Sequence, residues 1–265
     1  MIKNILNKMT GTHLGILVIV LFFTAQACIA SDNELTIDQT GDDLILDVLQ
    51  SGSDNEITIT PVTGKNFTLI IDQIGSDNTI KMYNYSAYIE GDDQKFAFYQ
   101  NNDGTNQNVI ELWHLDGDNN SIRWGQGGKL SSSTDTTFSY DGVESGGHYA
   151  RFDIHGSDNN VTGYQANSGN GGHTYNQLIF SDNNNVWVEQ RGNVAKTLNL
   201  TIRNPNNNVQ IQQKEYGVHT ATIDLTGSYG TSLDLIQTGT SNQTYNLYQA
   251  CYTVGGCAVS IQQGN

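Results

Sequence analysis

Gly52-Ser53-Asp54-Asn55-Glu56-Ile57 is a turn that runs into the start of a strand, and the chain writes it again and again. It returns as Gly75-Ser76-Asp77-Asn78-Thr79-Ile80, as Gly117-Asp118-Asn119-Asn120-Ser121-Ile122 and as Gly156-Ser157-Asp158-Asn159-Asn160-Val161. Looser copies run from Ser181 through Asn184 to Val186, and from Asn204 through Asn207 to Val209. Four residues after the aliphatic comes a polar strand end, Gln126, Gln165, Gln190 and Gln213 in the regular copies, with Pro61 and Asn84 in the first two. Repeats at a fixed period decide an architecture before any single element does.

Working outward, the flanking residues alternate. Leu44, Leu46 and Val48 share one parity with Gln50, as do Phe67, Leu69 and Ile71 with Gln73, and Leu233 and Leu235 with Gln237. A period of two over five to seven residues, bounded by Gly, Asn and Asp, is the pattern of short half-buried strands. Strand-end glutamines fall at Gln39, Gln50, Gln73, Gln100, Gln126, Gln165, Gln190, Gln213 and Gln237; several intervals are near 23 and the shortest, Gln39 to Gln50, is 11. The pattern predicts an all-β β-solenoid (a β-helix) of stacked strand-turn-strand repeats of about 22–24 residues. Loop insertions interrupt it at Tyr85–Lys95, Gly127–Gly147 and Ala166–Asn176.

The turn after each strand needs left-handed backbone angles, which Gly takes freely and Asn or Asp take best among the rest. Gly41, Gly52, Gly75, Gly117, Gly156 and Gly239 are the candidate turn glycines. Inward pairs such as Ile57/Ile59 and Val209/Ile211 are expected to stack coil upon coil. The glutamines named above, with Asn55, Asn78, Asn120, Asn159, Asn184 and Asn207, are the candidate ladder positions, their amides bonding along the stacking axis. One coil cannot bury its own apolar face, so stability has to come from the coils above and below. The 235 or so residues after Ala30 would make roughly nine or ten coils.

The first residues read as an export signal. Lys3 and Lys8 precede an apolar run, Leu14–Ala27, that is too short to span a membrane, and cleavage is expected after Ala30. Residues 31–265 are then the repeat domain. A lipid anchor on Cys28 is the lesser reading, since Ala25 and Gln26 fit a lipobox poorly. With 27 acids against 12 bases the net charge is −15, and removing two lysines takes it to −17. Such a balance disfavours nucleic acid and anionic membranes as partners. Cys251 and Cys257 remain, and in an oxidising compartment they read as one local disulfide around Gly255 and Gly256, with a pair of free thiols as the alternative.

The spacing Gln-x-Gly-x-x-Asn-x-(aliphatic)-x-x-x-Gln resembles the curlin repeat. Gln50-Ser51-Gly52 through Asn55, Gln73-Ile74-Gly75 through Asn78, and Gln237-Thr238-Gly239 through Asn242 each match Gln, Gly and Asn. Gln39-Thr40-Gly41 through Gln50 matches in period, with Leu44 where the motif has Asn. The resemblance implies a structural subunit, major, minor or nucleator-like, of extracellular curli-type amyloid fibres that support adhesion and biofilm matrix. It implies passage through the periplasm to the bacterial cell surface, self-association or association with other curli subunits, and contact with an outer-membrane export machinery. A Gly-rich leader is not evident after Ser31, and Ser260–Asn265 is not a basic terminal repeat, so the reading leans to a divergent or minor subunit.

The rival readings come from other classes. A monomeric β-solenoid adhesin or carbohydrate-binding surface protein would use the irregular loops, and Trp187, which points outward, is its contact candidate; Trp124 shares parity with Ile122 and reads as core. A polysaccharide lyase or hydrolase would need clustered acids beside Arg or Lys, and the bases do not cluster. An ice-binding solenoid would need a threonine ladder, and Thr58/Thr60 is not repeated coil after coil. The Asp-Asn turns lack the calcium-binding nonapeptide and read as solvated turns. His114 reads as a ladder substitute, and His148, His155 and His173 lack metal-ligand spacing. No catalytic residue, metal or cofactor is expected.

Overall fold

Strand and turn alternate along the whole of the chain that can be followed. The computed structural model describes residues 4–5, 17–24, 33–37, 42–59, 67–75, 78–82, 95–101, 107–115, 120–127, 146–155, 158–167, 171–180, 183–192, 194–203, 206–228, 231–252, 254 and 257–264. Those residues form strands and turns without helix. One sheet holds β1 (Asn4–Ile5), β3 (Asn33–Ile37), β5 (Asn55–Ile59), β7 (Asn78–Met82), β9 (Asn108–Leu115), β11 (Arg151–Ile154), β13 (Tyr175–Ile179), β15 (Leu198–Ile202), β17 (Ala221–Gly227) and β19 (Tyr245–Cys251). The other holds β2 (Leu17–Thr24), β4 (Leu44–Ser51), β6 (Thr68–Ile74), β8 (Lys95–Asn101), β10 (Ser121–Gln126), β12 (Asn160–Asn167), β14 (Asn185–Gly192), β16 (Asn208–Lys214), β18 (Ser232–Gln237) and β20 (Ala258–Gln263). Every strand pairs in parallel with the strand two places along the chain, so one odd and one even strand make a coil. The expected β-solenoid is the fold.

The core lies between the two sheets. Inward residues are closed to solvent in both, among them Ile57, Ile59, Ile80, Ile110, Leu198 and Ile223 from the odd strands and Val48, Ile71, Phe98, Val161, Val186 and Ile211 from the even ones. Full burial of each such side chain stabilises the fold by about 1.5–3 kcal/mol. Each rests on its counterpart one coil away, as Val186 does between Val161 and Val209. Midway, aromatics take over: the ring of Trp124 lies 4.5 Å from that of Tyr175 and 5.1 Å from that of Phe152. That indole occupies the space a Cβ on Gly163 would need, so Gly163 is required by packing.

The turns follow the expected chemistry. Asp54, Asp158, Asn183, Asn206 and Asn242 take φ of 56–71°, each directly before a ladder position. Gly52, Gly75 and Gly239 are at φ of 136°, 112° and 135°; a Cβ on Gly75 would collide with the carbonyl oxygen of Gly52. Gly41, Gly117 and Gly156 lie outside the described residues.

Two readings need correction. The recurring Gly-Ser-Asp-Asn turn was expected to mark one place in the coil, and it marks two. Asn55 and Asn78 open strands of the odd sheet, whereas Asn120, Asn159, Asn184 and Asn207 stand immediately before strands of the even sheet. Both corners demand the same left-handed residue before a buried amide, so the same words serve at either. Gln39 lies outside the described residues. The insertion expected at 166–176 is shorter at both ends, because Ala166 and Asn167 finish β12 and Tyr175 and Asn176 begin β13. β1 and β2 fall inside the stretch read as the export signal.

Candidate functional site

The feature that distinguishes this solenoid is a set of polar columns inside it. Gln50, Gln73, Gln100, Gln126, Gln165, Gln190, Gln213 and Gln237 stand one above another near the ends of the even strands, at most 1% exposed. Each donates from Nε2 to Oε1 of the one before: Gln73 to Gln50 at 2.8 Å, Gln100 to Gln73 at 3.2 Å, Gln126 to Gln100 at 3.1 Å and Gln165 to Gln126 at 2.5 Å. The chain of bonds continues through Gln190 (2.8 Å) and Gln213 (2.8 Å) to Gln237 (2.7 Å). The other amide hydrogen crosses to a backbone carbonyl of the facing sheet, for example Tyr149, Thr174, Thr197, Thr220 or Thr244. Each glutamine thus ties its coil to the coil before it and one sheet to the other. Buried amides satisfied in this way avoid the desolvation cost of an orphaned group.

A second column opens the odd strands. Nδ2 of Asn33 donates to Oδ1 of Asn55 at 3.0 Å, and Nδ2 of Asn108 to Oδ1 of Asn78 at 3.3 Å. Above Asn108 the column changes character. In register follow His148, His173, Lys196, His219 and Gln243, and the first four are at most 2% exposed. The sequence reading named Asn55 and Asn78 as ladder positions and missed the rest of this column. Its signal was present: each member stands two residues before the first inward residue of an odd strand, as Asn55 stands before Ile57 and His219 before Ala221. Asn120, Asn159, Asn184 and Asn207 make a third buried column at the other corner.

His148 takes the backbone N–H of His173 on Nδ1 at 3.1 Å, which fixes that nitrogen as an acceptor. His173 lies against two carbonyls, Nδ1 2.8 Å from Ala195 O and Nε2 2.8 Å from Arg191 O. Lys196 donates to Gly192 O at 2.6 Å, and Nε2 of His219 lies 3.0 Å from Glu215 O. Burial, with His173 adding to it, holds His148 well below the usual imidazole range. Burial outweighs the carbonyls at His173 and pushes it down to about 4. His219 is lowered by burial and then by Lys196, and Lys196 itself is lowered by burial to about 8, with Glu215 pulling the other way.

His114, read as a substitute for a glutamine, falls in β9, in the sheet opposite the glutamine column. His155 packs edge-on against Phe180, its ring centroid 4.5 Å away, and Arg203 lies 4.9 Å over the same ring. Trp124 is core and Trp187 is half-buried. Among the described residues no group of three or more His, Cys, Asp and Glu is placed to hold a metal ion. Cys251 and Cys257 are bonded to each other and close the turn between β19 and β20.

The glutamine column runs out in an exposed strand, where Gln263 stands in register above Gln237. Oε1 of Gln237 is buried and has no partner. Over it lies β20, paired to β18 alone, with Val259 in register with Leu233 and Ile261 with Leu235. Leu233 and Leu235 are buried, whereas Val259 and Ile261 are 40% and 37% exposed because nothing among the described residues covers them.

A parallel two-sheet solenoid threaded by glutamine and asparagine columns defines a structural class of repeat protein. Within it, residues 30–60, the stretch that holds β3 to β5, match the family model of the curlin associated repeat. No curated protein and no solved structure matches the chain.

Proposed function

We propose that this chain is an exported structural subunit of curli-type extracellular fibres, without catalytic activity, adding to its neighbours end to end. The observation that carries the reading is the open face at β19 and β20. Among the described residues it presents unpaired strand backbone, two aliphatics left open at core positions, and Gln263, which stands in register with the glutamine column. Natural proteins that stay monomeric blunt such an edge with charge, proline or a cap. A second copy continuing the columns would cover all three features at once. The curlin associated repeat at residues 30–60 supports the same class. The apolar run at Leu14–Ala27 supports secretion through the periplasm, with residues 31–265 as the mature subunit. Partners under this reading are further copies, other curli subunits and an outer-membrane export machinery.

The test is seeded growth. Residues 31–265 are incubated with sonicated seeds of the same protein, and fibres are checked by diffraction at the strand spacing of about 4.7 Å. Seeded cross-β fibres establish the reading, and Ile261→Lys, which puts a charge on the open face, should abolish elongation from that face. A β-rich monomer indifferent to seeds refutes it. A second reading has its own observation. Tyr216, Tyr248 and Tyr252 are 63%, 66% and 77% exposed towards the same end, a surface suited to stacking on sugar rings. Polysaccharide pull-down of the monomer, lost in Tyr248→Ala with Tyr252→Ala, would favour an adhesin.

A further inference from the structure

The asparagine column and the histidine column occupy one continuous line in the fold, yet they answer to acid differently. An asparagine amide carries no proton to gain. His148 does, and its Nδ1 is committed to accepting from the backbone of His173. A proton there removes the bond and sets donor against donor. It also places a cation at a site that is 2% exposed, with the ring of His173 5.3 Å away. His148 Nε2 has no partner among the described residues, so it offers a new charge no ready acceptor. The coils involved are also the strained ones. His173 and Thr174 take φ of 60° and 79°, and Val194 and Ala195 take 64° and 41°, angles that strain a non-glycine residue.

We propose that the column His148–His173–Lys196–His219 is an acid-sensitive joint: protonating its imidazoles loosens the coils it threads while the asparagine-laddered coils hold. Its consequence for fibre growth rests on the subunit reading above; the loosening itself does not. Backbone carbonyls of Arg191, Ala195 and Val194 face His173, and those of Glu215 and Thr238 face His219, and burial outweighs them at both rings. Asn108 lies below His148, Gln243 lies above His219, and Gly127 approaches the His148 ring from its own coil. Lys196 bears on His173 and His219, and adds to the cost of charging either. Glu215 bears on Lys196 and is itself paired with Arg191 at 2.6 Å.

The sign follows from linkage. A histidine whose folded value lies below its unfolded value binds protons more readily when unfolded, so its contribution is present above about 6.5 and is lost as pH falls. For His173, held at about 4 against 6.5, the opening equilibrium rises about 30-fold on going from pH 7.5 to pH 5. His148 and His219 are lowered too and add in the same direction.

The experiment is segment-resolved hydrogen exchange on residues 31–265 at pH 7.5 and pH 5, corrected for intrinsic exchange, with the variant His148→Asn, His173→Asn, His219→Asn alongside. Protection in β13, β15 and β17 should fall at least about 30-fold at pH 5 relative to β5 and β7, and the variant should keep it. Equal loss in both regions, or the same loss in the variant, overturns the proposal. Should the triple variant not fold, imidazole NMR titration of the wild type decides instead. Rings that stay neutral below pH 5 support the joint, and rings that titrate near 6.5 sink it. Seeded growth at both pH values separates the two readings: a pH-dependent loosening without fibres at either pH refutes the subunit and leaves the joint standing.

Discussion

A glutamine in the middle of the column holds two neighbours at once. Removing the amide of Gln190 strands Oε1 of Gln165, Nε2 of Gln213 and the carbonyl of Thr197. Each buried group left unpaired costs about 1–3 kcal/mol. Gln190→Leu should therefore lower stability by at least about 2 kcal/mol in chemical denaturation, while Gln212→Leu, on the outward side of the adjoining strand, should stay within about 0.5 kcal/mol. Similar losses for the two would remove the column as a source of stability. Gly163→Ala forces a methyl into the indole of Trp124 and is expected to cost about 1–3 kcal/mol by the same assay. Lys196, lowered to about 8 by burial, binds its proton less firmly folded than unfolded, so stability should climb between about pH 8 and pH 10.5. Lys196→Met should lose that alkaline gain; a melting temperature that rises equally in both proteins would count against a buried charge.

Among the elements, β20 is the one held least by packing and most by covalent closure. All six of its residues are exposed, and the bond between Cys251 and Cys257 ties the end of β19 to the residue just before β20. Opening it with Cys251→Ser and Cys257→Ser should drop exchange protection across Ala258–Gln263 while β13 to β17 keep theirs. A uniform loss along the solenoid would mean the last coil is not a separate unit. The strands themselves were legible because alternation and spacing are local properties: Ile57/Ile59 and Val209/Ile211 turn inward as their parity demands. The glutamine column was legible too, since one residue type recurs at one interval. What was not legible is which sheet a repeat begins. Asn55 and Asn159 follow near-identical turns yet belong to opposite corners, because a corner selects for backbone angle and not for sheet. The histidine column escaped for the converse reason. Its position is constant, but its identity runs from asparagine through histidine to lysine, and a search for recurring letters passes over it.

For the whole molecule the governing balance is charge against an open face. The chain carries −15, so under the proposed subunit reading approaching copies repel over the Debye length, which shrinks from about 30 Å at 0.01 M salt to about 8 Å at 0.15 M. Seeded elongation should accelerate by an order of magnitude or more across that range; a rate independent of salt would show that charge does not limit addition. The direction of the hydrogen bonds carries a mechanical consequence. They run along the solenoid axis, in the sheets and in the glutamine column alike. A pull along that axis must break the bonds of an entire coil together, whereas a pull on one chain end peels them singly. Such a body is stiff in tension and weak to peeling, and the coil closed by a covalent link is the one from which peeling would otherwise start.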